Sequence, residues 1–388
     1  MSKYALMVSC ALSAFWGTTD QACAAAQQAG VIGPTVRAAR GNLSPSLDDG
    51  PFSGYQVGAA RKFRTFSFAA ADEVSSSFSP DLTSPTLPVF ASDSFWYTTI
   101  PADAPMHPNS AGYVQEFLQQ LKKYNGNIAI STADYSSPIY VVDDIVVTVP
   151  VTQWDCQKVG YLNKELEQQW QTVPIPPYAQ PASGTDSEMT VYQPLKDTMW
   201  EFWRARKVDQ RWEACWGGRM LNVSKNEGIW PLHYGATATG LPFLGGQITV
   251  DELRRGVISH AIGIALVEAE DKKIYSWPAS RSDGLNPSNK PDQIPEGLRF
   301  RLDPNLDVDA LRIHPVAKMI AKAAQAYGFV VWDTSGGISL RAENSKRFTT
   351  IGMSDPYPAL WDGTPSYRIL TGFPWNGLQF LPMNYGMP

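Results

Sequence analysis

Asp197 to Trp216 (DTMWEFWRARKVDQRWEACW) gathers groups able to do chemistry on a sugar: four of the thirteen Trp, two acids at strand spacing, three Arg and a Cys. Aromatic faces stack on the C–H groups of a sugar ring, and neighbouring carboxylates supply the acid and base of glycoside hydrolysis. On a strand, Asp197, Met199, Glu201 and Trp203 share one face, with the Cα atoms of Asp197 and Glu201 roughly 13 Å apart. A carboxyl gap of about 5–5.5 Å favours retention and one of about 6.5–9.5 Å favours inversion. Asp186, in GTDSEM, and Asp283, in SRSDG, are further carboxylates. Glu201, Asp186 and Asp197 are the expected catalytic acids, since an acid buried near Trp acquires the raised pKa that a general acid needs. The plainer alternative is that Asp197 closes the Pro194–Asp197 turn and the other acids pair with nearby Arg.

A second constellation rests on histidine. The chain has only His107, His233, His260 and His314. An eliminating lyase needs one group to neutralise a uronate carboxylate, one to take the C5 proton and one to protonate the leaving oxygen. His233 or His260, with Tyr234 and Arg219 or Arg204, has the right chemistry. His260 falls on an expected strand, Gly256–Val267, beside Ile258, Ile262 and Ile264. A His on such a face is more often a hydrogen-bonded core residue. Trp203 and Trp216 head the aromatic groups expected to hold a glycan, with Arg204, Arg219, His233, Tyr234 and Asp283 around them. Trp200, Trp212, Trp230 and Trp277 share the middle of the chain with these two, and most of the six must fill core.

The elements expected to position these groups are mainly strands. Ile128–Ser131, Ile139–Val142, Ile145–Val149, Met189–Tyr192, Met199–Trp203, Arg219–Val223, Gly256–Val267, Leu298–Leu302, Phe329–Trp332 and Ile338–Ala342 read as short strands, with Gly, Pro, Asn or Asp in most gaps. Such punctuation predicts a mainly β protein, a β-sandwich or jelly-roll-like body with two or three peripheral helices. One helix is expected after Ser110, through Tyr124, and another over Val308–Tyr327. Phe329–Trp332 and Ile338–Ala342 read as a hairpin across Ser335-Gly336-Gly337.

The 388 residues carry a net charge of −5, and only 18% are charged, so nucleic acid is not an expected partner. Lys3, the apolar run Tyr4–Trp16 and the small residues Ala22-Cys23-Ala24 read as a secretory signal peptide over 1–24, too short for a membrane span. Secretion or a periplasmic location follows, with no membrane partner once the signal is removed. Residues 25–94, rich in Ser, Ala and Pro, read as an N-terminal arm carrying one short strand, Arg64–Phe68. Residues 95–388 read as a single domain. Cys156 and Cys215 remain in the mature chain, and an even pair in an exported protein predicts one disulfide. No phosphate loop, G-x-S-x-G elbow or H-E-x-x-H pair occurs, so no cofactor is expected. A structural calcium among Asp283, Asn286, Asn289 and Asp292 is the one metal considered.

From Phe95 onward a series of segments, WYTTIPADAPMHPNS, SSPIYVVD, VPIPPYAQPASGTDSEM, MWEFWRAR, WGGRM, GATATGLP, LGGQI, DELRRGVISHAI, WPASRSDG and IPEGLRFRLDP, resembles a group of secreted bacterial proteins of about this size, mostly without assigned function. The resemblance implies export and one β-rich body, and brings no catalytic residues. The acid-x-x-x-acid spacing is also loosely similar to the catalytic strand of jelly-roll glucanases, which place another acid where this chain has Met199. Together these readings predict a secreted, endo-acting glycoside hydrolase on a polysaccharide. The alternatives are a lyase on a uronate polymer and a non-catalytic glycan-binding surface protein.

Overall fold

The longest apolar runs take the centre of the structure. In the computed structural model, which describes residues 85 and 87–388, every residue of Ile262–Leu266 is buried, as are the first four of Phe329–Thr334. Strands buried on both faces pair in parallel and need a long crossover between them. These two do so, and the crossover includes the helix Pro315–Ala326. The expected signal peptide, the Arg64–Phe68 strand and most of the expected arm lie outside the described residues.

Among the described residues thirteen strands follow in chain order: β1 Ala129–Ser131, β2 Ile139–Val141, β3 Val151–Gln153, β4 Met189–Gln193, β5 Thr198–Trp203, β6 Arg206–Val208, β7 Arg211–Ala214, β8 Trp216–Leu221, β9 Ile262–Leu266, β10 Arg299–Leu302, β11 Phe329–Thr334, β12 Ser339–Arg341 and β13 Leu378–Phe380. They form a six-stranded sheet in the order β1-β12-β9-β11-β10-β13, a four-stranded sheet β2-β4-β5-β8 and a three-stranded sheet β3-β7-β6. The protein is mainly β, as composition and punctuation predict. The pairing is mixed, however, with parallel neighbours in all three sheets (β1–β12, β9–β11, β2–β4 and β3–β7), whereas a jelly roll is antiparallel throughout. The expected hairpin is also replaced: β9 lies between β11 and β12, because its unbroken apolar run needs cover on both edges and both faces.

Alternation along β11 divides the interior in two. Phe329 and Val331 join a core with Ile262, Ile264 and the helices Ser110–Lys123 and Pro315–Ala326. Val330 and Trp332 join a second core with Ala265 and the four-stranded sheet. That second core also takes in Val89 and Phe90, so the folded body begins ahead of the expected boundary at Phe95. The two longer helices fall close to expectation. The second starts late, at Pro315, with His314 as its N-cap, because proline suits the first helical position. A short helix, Val250–Arg255, precedes the expected Gly256–Val267 strand, of which only Ile262–Leu266 is strand. Thr249 and Glu252 close a capping box on it and Gly256 ends it in the left-handed region at φ 79°.

Cys156 and Cys215 are bonded, with Cα atoms 5.5 Å apart at a sequence separation of 59. The bridge ties the chain after β3 to the junction of β7 and β8. In the chain-entropy view a loop of this size is worth about 4 kcal/mol. Replacing both cysteines by serine is expected to lower the unfolding free energy by about 2–4 kcal/mol, read as an earlier denaturant midpoint. An unchanged midpoint would mean the bridge adds nothing to the folded state.

Candidate active site

Several nominated residues turn out to hold the fold. Glu201 is fully buried on β5; one carboxylate oxygen accepts from the Trp230 indole N–H at 2.9 Å and the other from the Phe243 amide at 2.7 Å. Burial pushes its carboxyl up to about 7, and those two hydrogen bonds work against the rise. With both oxygens satisfied and no solvent access it cannot reach a polymer. Asp197 precedes β5 rather than belonging to it: at φ 47° it turns the chain and accepts from the Ser224 amide (2.8 Å) and hydroxyl (2.7 Å). His260 lies in the segment before β9, 1% exposed, with Nε2 3.1 Å from Glu252 and Nδ1 2.8 Å from the Ala261 carbonyl. Arg219 pairs across from Trp200, on the face of β8 opposite Trp216.

Other nominated residues converge, and they meet around groups that sequence reasoning missed. Asp186 and Glu188 lead into β4. The Asp186 carbonyl accepts from the Arg204 amide at 2.6 Å, which fixes that loop to the end of β5 beside Trp203. Asp333 ends β11 just after an irregularity: Val331 and Asp333 pair with consecutive residues of β9, leaving Trp332 as the extra residue. A bulge of this kind re-aims the side chain that follows it. Asp283 and Glu296 come from the crossover between β9 and β10. The Asp283 amide donates to Glu296 Oε2 at 3.0 Å, and the Thr334 hydroxyl donates to Asp283 Oδ1 at 3.3 Å.

This carboxylate cluster is under electrostatic load. Burial, and then the charge of Asp333, push Asp283 up to about 6. Glu296 is raised well above the usual carboxylate range by burial and by Asp283. Burial lifts Glu188 to about 8 against the pull of Arg341. Asp333 is also raised by burial, but it accepts a 2.8 Å hydrogen bond from Arg341 Nη2, which favours its charged form. The Arg341 guanidinium lies 5.1 Å from the Phe243 ring and 5.2 Å from the Trp332 ring, and its Nε and Nη1 have no hydrogen-bond partner. Arg281 directs its donors to the carbonyls of Tyr234, Gly235, Thr237 and Ala238 at 2.6–3.3 Å.

An aromatic wall stands at the end of β5, next to the loop that carries Asp186. Trp203 and Trp216 are cross-strand partners, both half-buried, and the Trp216 ring lies 5.7 Å from His233 and 6.3 Å from Tyr234. Arg204 lies 4.7 Å over the Trp203 ring. Burial lowers the His233 pKa, as does the Arg281 charge. The Tyr234 hydroxyl donates to Glu165 at 2.9 Å, and burial raises it to about 12. Main-chain contact thus joins Asp186 to Arg204 next to Trp203, Trp216 packs with His233 and Tyr234, and Arg281, two residues before Asp283, reaches the Tyr234 carbonyl, while Glu201, Asp197, His260 and Arg219 are engaged elsewhere in the fold. The considered calcium loop is otherwise engaged. Asn286 donates to Glu270 and the Lys290 carbonyl, Asp292 accepts from Asn109, and among the described residues no group of three or more His, Cys, Asp or Glu is arranged to hold a metal ion. Comparison of the chain with protein-family models, with curated proteins and with solved structures finds no match in any of the three.

Replacing Glu201 by Gln turns one acceptor into an N–H donor facing another donor. The variant is expected to lose about 1–3 kcal/mol of unfolding free energy in denaturant titrations. Undiminished stability would mean that its contacts to Trp230 and Phe243 are dispensable.

Proposed function

We propose that the protein is an exported glycoside hydrolase acting within a polysaccharide, with Asp283 and Asp333 as its carboxylate pair. One observation carries this reading: two half-buried aspartates feel one another's charge in environments that differ. Asp283 is backed by Glu296 and has no guanidinium in hydrogen-bond contact, so it holds the proton and acts as general acid toward the glycosidic oxygen. Asp333, bonded to Arg341, holds the negative charge and activates water or attacks the anomeric carbon. Pairs of acids whose surroundings separate their roles in this way are the recurring solution for glycoside cleavage at moderate pH. Trp203 and Trp216 supply stacking surface for the sugar rings.

The lyase alternative has less support. Arg219 sits on the other face of β8, the Tyr234 hydroxyl is engaged with Glu165, and His260 is paired with Glu252 in the core. Export accords with the Cys156–Cys215 bridge, since such bonds persist in oxidising compartments. Among the described residues no helix is long and apolar enough to cross a membrane.

The test is reducing-end release from a panel of neutral, amino and acidic polysaccharides. Asp283→Asn and Asp333→Asn should each lower the rate by about 10²–10⁴-fold with circular dichroism unchanged. The acid must be protonated, so the rate should fall as pH rises through about 6, the value to which Asp283 is raised. The two acids are coupled, so the profile reports apparent values of the pair. Full rates in both variants, or products absorbing near 235 nm, would overturn this assignment.

A further inference from the structure

The disulfide is set beside a cation. Of its two cysteines, Cys156 is half-buried and Cys215 is 4% exposed. Arg204 Nη1 donates to Cys156 Sγ at 3.7 Å. The backbone helps to hold it there: Arg204 turns the chain at φ 53°, its amide donates to the Asp186 carbonyl, and its guanidinium lies 4.7 Å over the Trp203 ring. Among the described residues Arg204 takes part in no ion pair, and its Nε is buried without a hydrogen-bond partner. Neighbouring carboxylates are engaged elsewhere. Asp155 accepts from the Val159 and Gly160 amides at 2.8 and 2.7 Å. Glu213 accepts from Arg206 at 2.9 and 2.8 Å, and Arg206 itself stacks 3.6 Å over Trp154. Lys158 is exposed on the loop beyond.

A disulfide sulfur is a neutral, weak acceptor, whereas a thiolate carries a full charge. The guanidinium is poorly matched to the closed bond and well matched to the opened one. A cation that stabilises a reduced cysteine makes its disulfide easier to reduce. We infer that Cys156–Cys215 is a thiol-exchange site opened by a dithiol reductant, with Arg204 holding Cys156 as the thiolate. Neither the hydrolase reading nor the carboxylate pair bears on this site.

The exchange runs in two steps. One thiolate of the dithiol attacks the accessible Cys156 sulfur, and the bond to Cys215 breaks with its electron pair on Cys215, which takes up a proton. The second thiol then loses its proton and attacks the dithiol's own sulfur in the mixed disulfide. That bond breaks with its pair left on Cys156, beside Arg204. The dithiol is oxidised by two electrons to a disulfide, and the cysteine pair is reduced by the same two. One of the dithiol's two protons ends on Cys215 and the other in solvent.

Opening the bond frees a loop. Among the described residues the hydrogen bonds of 155–162 stay within the loop or reach Trp154, apart from the one that Arg204 makes. Val159, Tyr161 and Leu162 are 38–53% exposed and join neither core. Cys215, by contrast, stays fixed, its amide bonded to the Trp203 carbonyl at 3.0 Å and its carbonyl to Gln153 Nε2 at 3.1 Å. The bridge is thus what fastens the loop beside Trp203 and Trp216.

The experiment equilibrates the folded full chain at neutral pH with mixtures of reduced and oxidised dithiothreitol. Thiols are trapped with iodoacetamide, and Cys156 and Cys215 are read by peptide mass. Arg204→Gln should need about tenfold more reduced over oxidised dithiol at the midpoint, and Arg204→Lys, which keeps the charge, less than that. If Arg204 served packing alone, its removal would loosen the corner and shift the midpoint the other way. In Cys215→Ser, Cys156 should alkylate several-fold faster than a free cysteine thiol, and lose that advantage when Arg204→Gln is added. Once the bond is open, trypsin should cut after Lys158 several-fold faster, with circular dichroism unchanged. A midpoint that stays put or moves toward easier reduction in Arg204→Gln would overturn the inference. So would a bond that opens only when the chain unfolds, a Cys156 slower than the free thiol, or equal cleavage after Lys158 in both states.

Discussion

The parallel pairing of β9 with β11 is the constraint on which the rest depends. Two parallel strands cannot be joined by a tight turn, so a long connection must run from Leu266 to Phe329, and it contributes β10 to the same sheet on the way. That excursion carries Asp283, Glu296, β10 and the helix that covers one face of the sheet. The same pairing breaks register at Trp332, which releases Asp333 from the ladder's alternation. Close packing fixes the break: a Cβ on Gly263 would stand 2.3 Å from the Trp332 ring and one on Gly246 would stand 2.7 Å from it. The residues that pack Trp332 thus also decide where Asp333 points.

Two kinds of buried acid follow from this scaffold, and the contrast between them separates structure from chemistry. Glu201 and Glu252 have their oxygens satisfied by donors that belong to the fold: indole, amide and hydroxyl for the first two contacts of each, and the His260 ring for Glu252. Such groups join elements together, and removing one strands its partners. Asp283, Glu296, Asp333 and Glu188 are instead buried near one another's charge, and burial first and neighbouring carboxylates second raise their affinity for protons. Acids with this unresolved competition can exchange a proton with something that arrives from outside.

Much of the scaffold was legible in the sequence. Ser110 and the apolar stripe after it located the first long helix, and the runs MTVY and TMWEFW located β4 and β5. The disulfide followed from two cysteines in an exported-looking chain. Local pattern misled where long-range pairing decided the outcome. Ser335-Gly336-Gly337 looks like a hairpin turn, but nothing local reveals that β9 inserts between the flanking strands. Thr249-x-x-Glu252 is a readable capping box, but the helix it starts is only six residues long and shows little periodicity of its own. Of the site, Asp186, Asp283, Trp203 and Trp216 could be named because they stand in conspicuous motifs. Asp333 and Arg341 could not, since each sits in a strand placed by its pairing with β9, which a bulge interrupts at Trp332 and which no local pattern reveals.

Holding several proton-hungry acids together costs stability, and the sign of that cost ties fold to function. A carboxyl raised in the folded state contributes stability that is fully present below its unfolded pKa and is lost as pH rises through its folded value. For Asp283 that upper bound is about 6 and for Glu188 about 8. The surrounding body must therefore be rigid enough to hold the acids in place as they charge, and it has the means: two packed cores meeting at β11, and a disulfide beside the aromatic wall.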